Sequence, residues 1–131
     1  MKNKKHITTL ILLTLLFMLI FAISVSAESE AYQLYVSGVQ VTSENAADVL
    51  GDGTVSYDSE TKTLTLNNAK ITDCYTLELG QENTCVGIYT AIDNLTVNLV
   101  GTNEIDFISH IENHKGNVGG TAIYSECNLL V

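Results

Sequence analysis

Four groups of residues in this chain have the types and spacing for chemistry. The first is "DVLGDGTVSYDS", Asp48 to Ser59, where acids and glycines crowd as they do in calcium loops. The EF-hand pattern needs oxygen ligands at fixed places, glycine sixth and a bidentate Glu twelfth. Asp48 fills the first place, Asp52 the fifth and Gly53 the sixth, but Leu50 stands third and Ser59 twelfth. Gly51 and Gly53 therefore read as turn residues around a solvated acid. The second group is Asp93, Asn94 and Asp106, near the ends of expected strands. Oxygen ligands on stacked turns can gather around a hard cation, which makes Asp93 and Asp106 the candidate calcium ligands. The third is "HIENH", His110 to His114. Histidines four apart share a face only on a helix, and the zinc-protease pattern wants Glu directly after the first His, where Ile111 stands; solvated loop histidines are the better reading.

The fourth group is aromatic. The chain has no Trp, so stacking on a sugar face falls to Tyr32, Tyr35, Tyr57, Tyr75, Tyr89 and Tyr124. Among these, Tyr89 and Tyr124 recur at matching places in an internal echo described below and are the candidate carbohydrate-binding residues. Their competing role is that of half-buried spacers. Cys74, Cys85 and Cys127 form an odd set with no C-x-x-C spacing, which argues against thiolate zinc. A Cys74 to Cys85 bridge leaving Cys127 free and three buried thiols are equally compatible with the spacing.

Catalysis finds little support. The chain has no Arg, and Lys62, Lys70 and Lys115 show no arrangement that would supply a general base. Fifteen acids make any glycosidase-like carboxylate pair uninformative, and no G-x-S-x-G nucleophile motif occurs. The expectation is a protein that is not an enzyme.

These residues must be positioned by an exported chain. Lys2, Lys4 and Lys5 precede the apolar block "LILLTLLFMLIFAI" and the small-residue segment "SVSA", the order of a signal peptide cleaved after Ala27. An uncleaved anchor is the alternative, since the block approaches the roughly 20 residues that span a bilayer. Cleavage leaves three lysines against fifteen acids, a formal charge of −12 with histidines neutral, and makes nucleic acid a poor partner.

The mature chain reads as all-β. "QLYVSGVQVT" alternates, with Leu34, Val36, Val39 and Val41 as buried candidates and a break at "SG". Ser43 is expected to cap a short helical turn over Glu44 to Val49, ended by Gly51 and Gly53. "GTVSYD" and "KTLTLNNAKI" flank a polar "DSETK" and predict a β-hairpin. "CYTLELG", "CVGIYTA", "NLTVNLVG", "NEIDFIS" and "AIYSECNLLV" are further short strands bounded by Gly, Asn or Asp. The echo pairs "GIYTAIDNLTV", Gly87 to Val97, with "AIYSECNLLV", Ala122 to Val131, offset by 35 residues at Ile-Tyr and by 34 at Asn-Leu. Such repetition points to stacked β-coils. Leu129, Leu130 and Val131 are an uncapped strand that invites edge-strand self-association, and the chain is expected to be an incomplete member of a longer family.

"LYVSGVQVTSENAADVLGDGTVSYDSETKTLTLNNAKI", Leu34 to Ile71, resembles a module of secreted proteins from Gram-positive gut and anaerobic bacteria. "GIYTAIDNLTVNLVGTNEI" resembles the first rungs of the parallel β-helix those proteins carry as a carbohydrate-binding domain. The resemblance implies a right-handed parallel β-helix (solenoid), incomplete here, entered through an N-terminal β-hairpin module, at or outside the cell wall and related in architecture to pectate lyases. It also implies calcium-dependent binding of acidic polysaccharide. The expected division is a signal peptide at 1–27, an N-terminal β module at 28–86 and the first rungs at 87–131. The expected function is non-catalytic polysaccharide binding at the cell surface, assisted by calcium. The alternative is a structural or adhesive repeat protein, or a non-functional fragment, with no small ligand.

Overall fold

A computed structural model describes residues 28–79, 82–106 and 118–131. Residues 1–27, expected to be a signal peptide, and the His110 to His114 segment lie outside the described residues, as does Phe107. Two hairpins come first among the described residues. β1 (Ala31–Val36) and β2 (Val39–Thr42) pair antiparallel with Val36 opposite Val39. Ser37 and Gly38 between them have φ of 52° and 76°, both in the left-handed region that the tightest hairpin turns require. Gly38 is needed twice over, because a Cβ there would stand 2.9 Å from the Cys74 carbonyl oxygen. β3 (Val55–Asp58) and β4 (Thr63–Asn67) form the second hairpin, Val55 opposite Leu66 and Tyr57 opposite Leu64. Its loop is held by Asp58 Oδ1, which accepts from the amides of Glu60 and Thr61.

The segment between the hairpins corrects one expectation. Residues 43–54 form turns and bends rather than a capped helix. Ser43 Oγ accepts from Glu30 N, while the local cap is Asn45 Oδ1, which accepts from Thr42 N at 2.7 Å. The segment lies along the outer edge of β3, where Val49 N donates to Val55 O and Tyr57 N donates to Ala46 O. Its side chains Asn45 and Asp48 serve those turns instead of a helix terminus.

After β4 the chain runs through β5 (Lys70–Ile71), β6 (Tyr75–Leu79), β7 (Glu82–Thr90), β8 (Leu95–Val100), β9 (Glu104–Ile105), β10 (Val118–Ser125) and β11 (Leu129–Leu130). β6 and β7 pair antiparallel. β4 with β8, β5 with β9, β7 with β10 and β8 with β11 all pair parallel. The chain is all-β in its described residues, arranged in three sheets ordered β10-β7-β1-β2 with β6 also on β7, β11-β8-β4-β3, and β5-β9. It visits these sheets in a recurring order. Paired residues are 33 apart at Thr63/Thr96, 34 at Lys70/Glu104, 35 at Ile88/Ile123 and 34 at Leu95/Leu129. The echo read from the sequence is thus a stacking register: Ile88, Tyr89 and Thr90 lie beside Ile123, Tyr124 and Ser125. The 86/87 division falls inside β7.

One core joins the layers. Leu34 and Val36 of β1, Leu64 and Leu66 of β4, Ile88 of β7 and Leu95 and Val97 of β8 are buried together, each burial contributing about 1.5–3 kcal/mol against an exposed side chain. Val39 departs from expectation. It follows the turn directly, at the hairpin tip, and is 38% exposed. Leu99, on the same face of β8 as buried Leu95 and Val97, is 53% exposed; β11 pairs only with Leu95 and Thr96, so among the described residues the second half of β8 has no strand on that side.

Asparagine shapes the corner between the second and third sheets. Asn68 (φ 53°) and Gly101 (φ 69°) both adopt the left-handed conformation, which Asn and Gly tolerate best. Asn68 N donates to Val100 O, and Asn68 Oδ1 accepts from Thr102 N at 3.1 Å. Asn103 Oδ1 accepts from Ala69 N at 2.8 Å. Side-chain amides thereby satisfy backbone groups that the ladders leave at the bend.

Candidate functional site

Strand alternation puts a tyrosine layer on the largest sheet. In β7, Ile88 and Thr90 are fully buried, and Tyr89 lies between them with the opposite direction that period two dictates. Tyr35 sits likewise between buried Leu34 and Val36 in β1, directly opposite Tyr89 in the antiparallel ladder. Tyr124 lies beside Tyr89 in the parallel ladder with β10. Tyr75 opens β6, next to the disulfide that joins Cys74 to Cys85 across a Cα separation of 5.4 Å.

The four rings make a continuous group. Tyr35 and Tyr75 have centroids 4.3 Å apart, Tyr75 and Tyr89 5.0 Å, and Tyr35 and Tyr89 5.9 Å. Tyr89 and Tyr124 are 6.1 Å apart with planes only 7° from parallel. These separations fall in the range where aromatic pairs add about 0.5–1.5 kcal/mol beyond burial. Tyr89 is the hub, 8% exposed, while Tyr35, Tyr75 and Tyr124 are half-buried and present part of their surface.

Tyr89 also carries the layer's strongest polar contact. Its hydroxyl donates to Glu126 Oε1 at 2.8 Å. Burial first, then that hydrogen bond and the Glu126 charge, push the Tyr89 phenol up to about 12. It therefore remains a neutral donor at any physiological pH. Tyr32 and Tyr57 belong elsewhere: they meet edge to face at 5.1 Å on the core side. There burial, followed by the charges of Tyr32, Asp58 and Glu30, raises the Tyr57 phenol.

The proposed calcium ligands are not drawn together into such a group. Both carboxylate oxygens of Asp93 accept from side-chain amides, Oδ2 from Asn94 at 3.0 Å and Oδ1 from Asn128 at 3.3 Å. Lys62 Nζ donates to the Asp93 carbonyl oxygen, bringing a cation to the place where calcium would compete. Asp106 is exposed beyond β9, with its amide donating to Ile71 O. Among the described residues no group of three or more His, Cys, Asp and Glu could hold a metal ion. The "GDG" acids are committed to turns: Asp48 Oδ1 accepts from Gly53 N, and Asp52 Oδ1 accepts from both the hydroxyl and the amide of Thr54. Those Thr54 bonds hold the Asp52 carboxyl below its ordinary value.

The bridge settles the cysteine alternatives, since Cys74 pairs with Cys85 and Cys127 remains a free, exposed thiol. A disulfide is compatible with an oxidising compartment. Among the described residues no helix is long and apolar enough to cross a membrane. The echo placed Tyr89 and Tyr124 side by side, as the structure does. Tyr35 and Tyr75 were not singled out by sequence. Tyr35 carried a usable signal, an aromatic out of phase with the buried Leu34 and Val36, but Tyr75 reaches the layer only through the β6–β7 pairing. Compared with known proteins, the chain matches no family model, no curated protein and no solved structure.

Proposed function

We propose that this chain is an exported, non-catalytic binding module, built as the beginning of a right-handed parallel β-helix, whose tyrosine layer stacks against the flat faces of a polysaccharide. The observation that carries this reading is the contiguity of Tyr35, Tyr75, Tyr89 and Tyr124 on one face of one sheet. Aromatic rings offer sugars an apolar face, and a rigid platform lowers the ordering entropy lost on binding. Four parallel ladders at spacings of 33 to 35 residues support the solenoid. The disulfide and the leader-like segment support export.

Charge divides the ligand classes. With fifteen acids, the protein repels an acidic glycan unless a cation bridges the two, whereas a neutral glycan needs no such help. A glycan array probed with and without EDTA tests this directly. Binding lost in EDTA favours acidic polysaccharide and calcium; binding kept in EDTA favours a neutral glycan; silence on every glycan overturns the proposal. A second reading, a structural or adhesive surface protein, is favoured by the burial of Tyr89 and its bond to Glu126, which also suit a layer that only closes the outer face of the sheet.

A further inference from the structure

One strand of the tyrosine layer is held differently from the rest. Every other strand places at least one side chain in the hydrophobic core or against it, down to Ile105 of β9, Ile123 of β10 and Leu129 of β11; among the described residues β6 places none. Thr76 and Glu78 of β6 are exposed and Leu77 is half-buried. β6 is paired with β7, and a strand held by its ladder with no side chain in the core opens at low cost. Upstream, Asp73 N donates to Ser37 Oγ, an exposed bond that water can replace. The covalent tie is the Cys74–Cys85 bridge, which fastens the residue before Tyr75 to buried Cys85 of β7. Yet β6 supplies the ring with the shortest separation in the layer, Tyr75, 4.3 Å from Tyr35 and 5.0 Å from Tyr89.

We propose that the Cys74–Cys85 bridge is a redox latch on the tyrosine layer: a dithiol reductant opens it, β6 leaves β7, and Tyr75 is withdrawn from the rings of Tyr35 and Tyr89. As a control on glycan binding the latch rests on the proposed function; as a movement of β6 it does not. The two sulfurs differ in access. Cys85 is 2% exposed and Cys74 half-buried, so a thiolate of the dithiol attacks Cys74 Sγ, the bridge bond breaks, and Cys85 leaves as a thiolate that takes a proton. The second thiol of the reductant then attacks the reductant's own sulfur in the mixed disulfide and releases Cys74 as a thiol. The reductant departs as a cyclic disulfide, so two electrons and two protons have passed from the dithiol to the bridge. The core keeps its side chains through this change, since no described side chain of β6 belongs to it.

The test compares three samples of the chain expressed from Met1: the protein with its bridge intact, the same protein in dithiothreitol, and Cys74→Ser with Cys85→Ser. Hydrogen exchange reads the strand without any glycan. Once the bridge is open, the β6 amides that face β7 are expected to exchange about a hundredfold faster, the loop-entropy effect for a ring of this size, while the β8 amides keep their protection. On a glycan array the reduced protein is expected to bind about tenfold more weakly, as Tyr75→Ala does with its bridge intact, and reducing Tyr75→Ala is expected to cause no further loss. Exchange in β6 that reduction leaves unchanged overturns the latch. Loss of β8 protection overturns it too, because the bridge then holds the whole fold rather than one strand. Where the bridged protein binds a glycan, binding unchanged by reduction, or a further loss on reducing Tyr75→Ala, overturns the control of binding through Tyr75. Where the bridged protein binds no glycan, that result counts against the proposed function, and the exchange measurement alone decides the latch.

Discussion

Replacing Tyr89 by Phe removes one hydroxyl from the centre of the tyrosine layer and leaves its ring contacts in place. Near neutral pH the loss is the hydrogen bond to Glu126, 2.8 Å long but shared with an exposed carboxylate that water can solvate, so the cost should be about 1 kcal/mol. At alkaline pH the sign changes. The Tyr89 phenol is raised from 10.0 to about 12, so the folded state holds its proton where the unfolded state has lost it. That stabilisation is fully present below the unfolded value and disappears as pH rises through the folded one. At pH about 11 the wild type has lost roughly 1.4 kcal/mol from this group alone, and the Phe variant nothing. Urea unfolding at neutral pH and near pH 11 should therefore show the variant less stable by about 1 kcal/mol in the first condition and equal or slightly more stable in the second. A stability difference that stays the same at both pH values would refute the assignment of a protected phenol at Tyr89.

Further outcomes follow from the corner, the bridge and the core. Gly101→Ala should lower stability by roughly 2 kcal/mol or more in urea, because the residue has φ of 69° and its new Cβ would collide with the Asn68 side chain. Cys74→Ser with Cys85→Ser should cost about 3 kcal/mol by the loop-entropy estimate for a closed loop of this size, read by unfolding against the oxidised parent. Leu95→Ala, at a fully buried site, should cost about 2–5 kcal/mol, and Leu99→Ala, 53% exposed, under about 0.5 kcal/mol in the same assay.

Period-two alternation made the strand class legible, because Val55/Tyr57, Leu64/Leu66 and Leu95/Val97 each place two apolar side chains on one face. The echo was legible for a stricter reason: in parallel stacking, residues that match in sequence lie beside each other in space, and the Ile-Tyr offset of 35 became the β7/β10 register. The antiparallel contacts were not legible. That Tyr35 faces Tyr89 and that Tyr75 approaches both depends on which strand β1 and β6 choose as neighbours, which neither spacing nor propensity specifies. The Ser43 turn failed for a local reason: the Ser43 hydroxyl accepts from Glu30 N, and Asn45 Oδ1 accepts from Thr42 N, so both side chains serve turns rather than a helix start. Asp93 was legible as a strand-end acid but not as one whose oxygens are taken by Asn94 and Asn128, because Asn128 arrives from the segment that leads into β11, 35 residues further along the chain.

The central claim is that the tyrosine layer is a binding face, and titration calorimetry of Tyr124→Ala against the glycan that scores highest on the array tests it most directly. Tyr124 is half-buried and at the margin of the layer, so its removal should leave the fold intact. The account predicts that this variant melts as the parent does and binds about tenfold more weakly, the loss of roughly 1.4 kcal/mol from one stacked ring. Unchanged affinity in a variant with a native melt would contradict it.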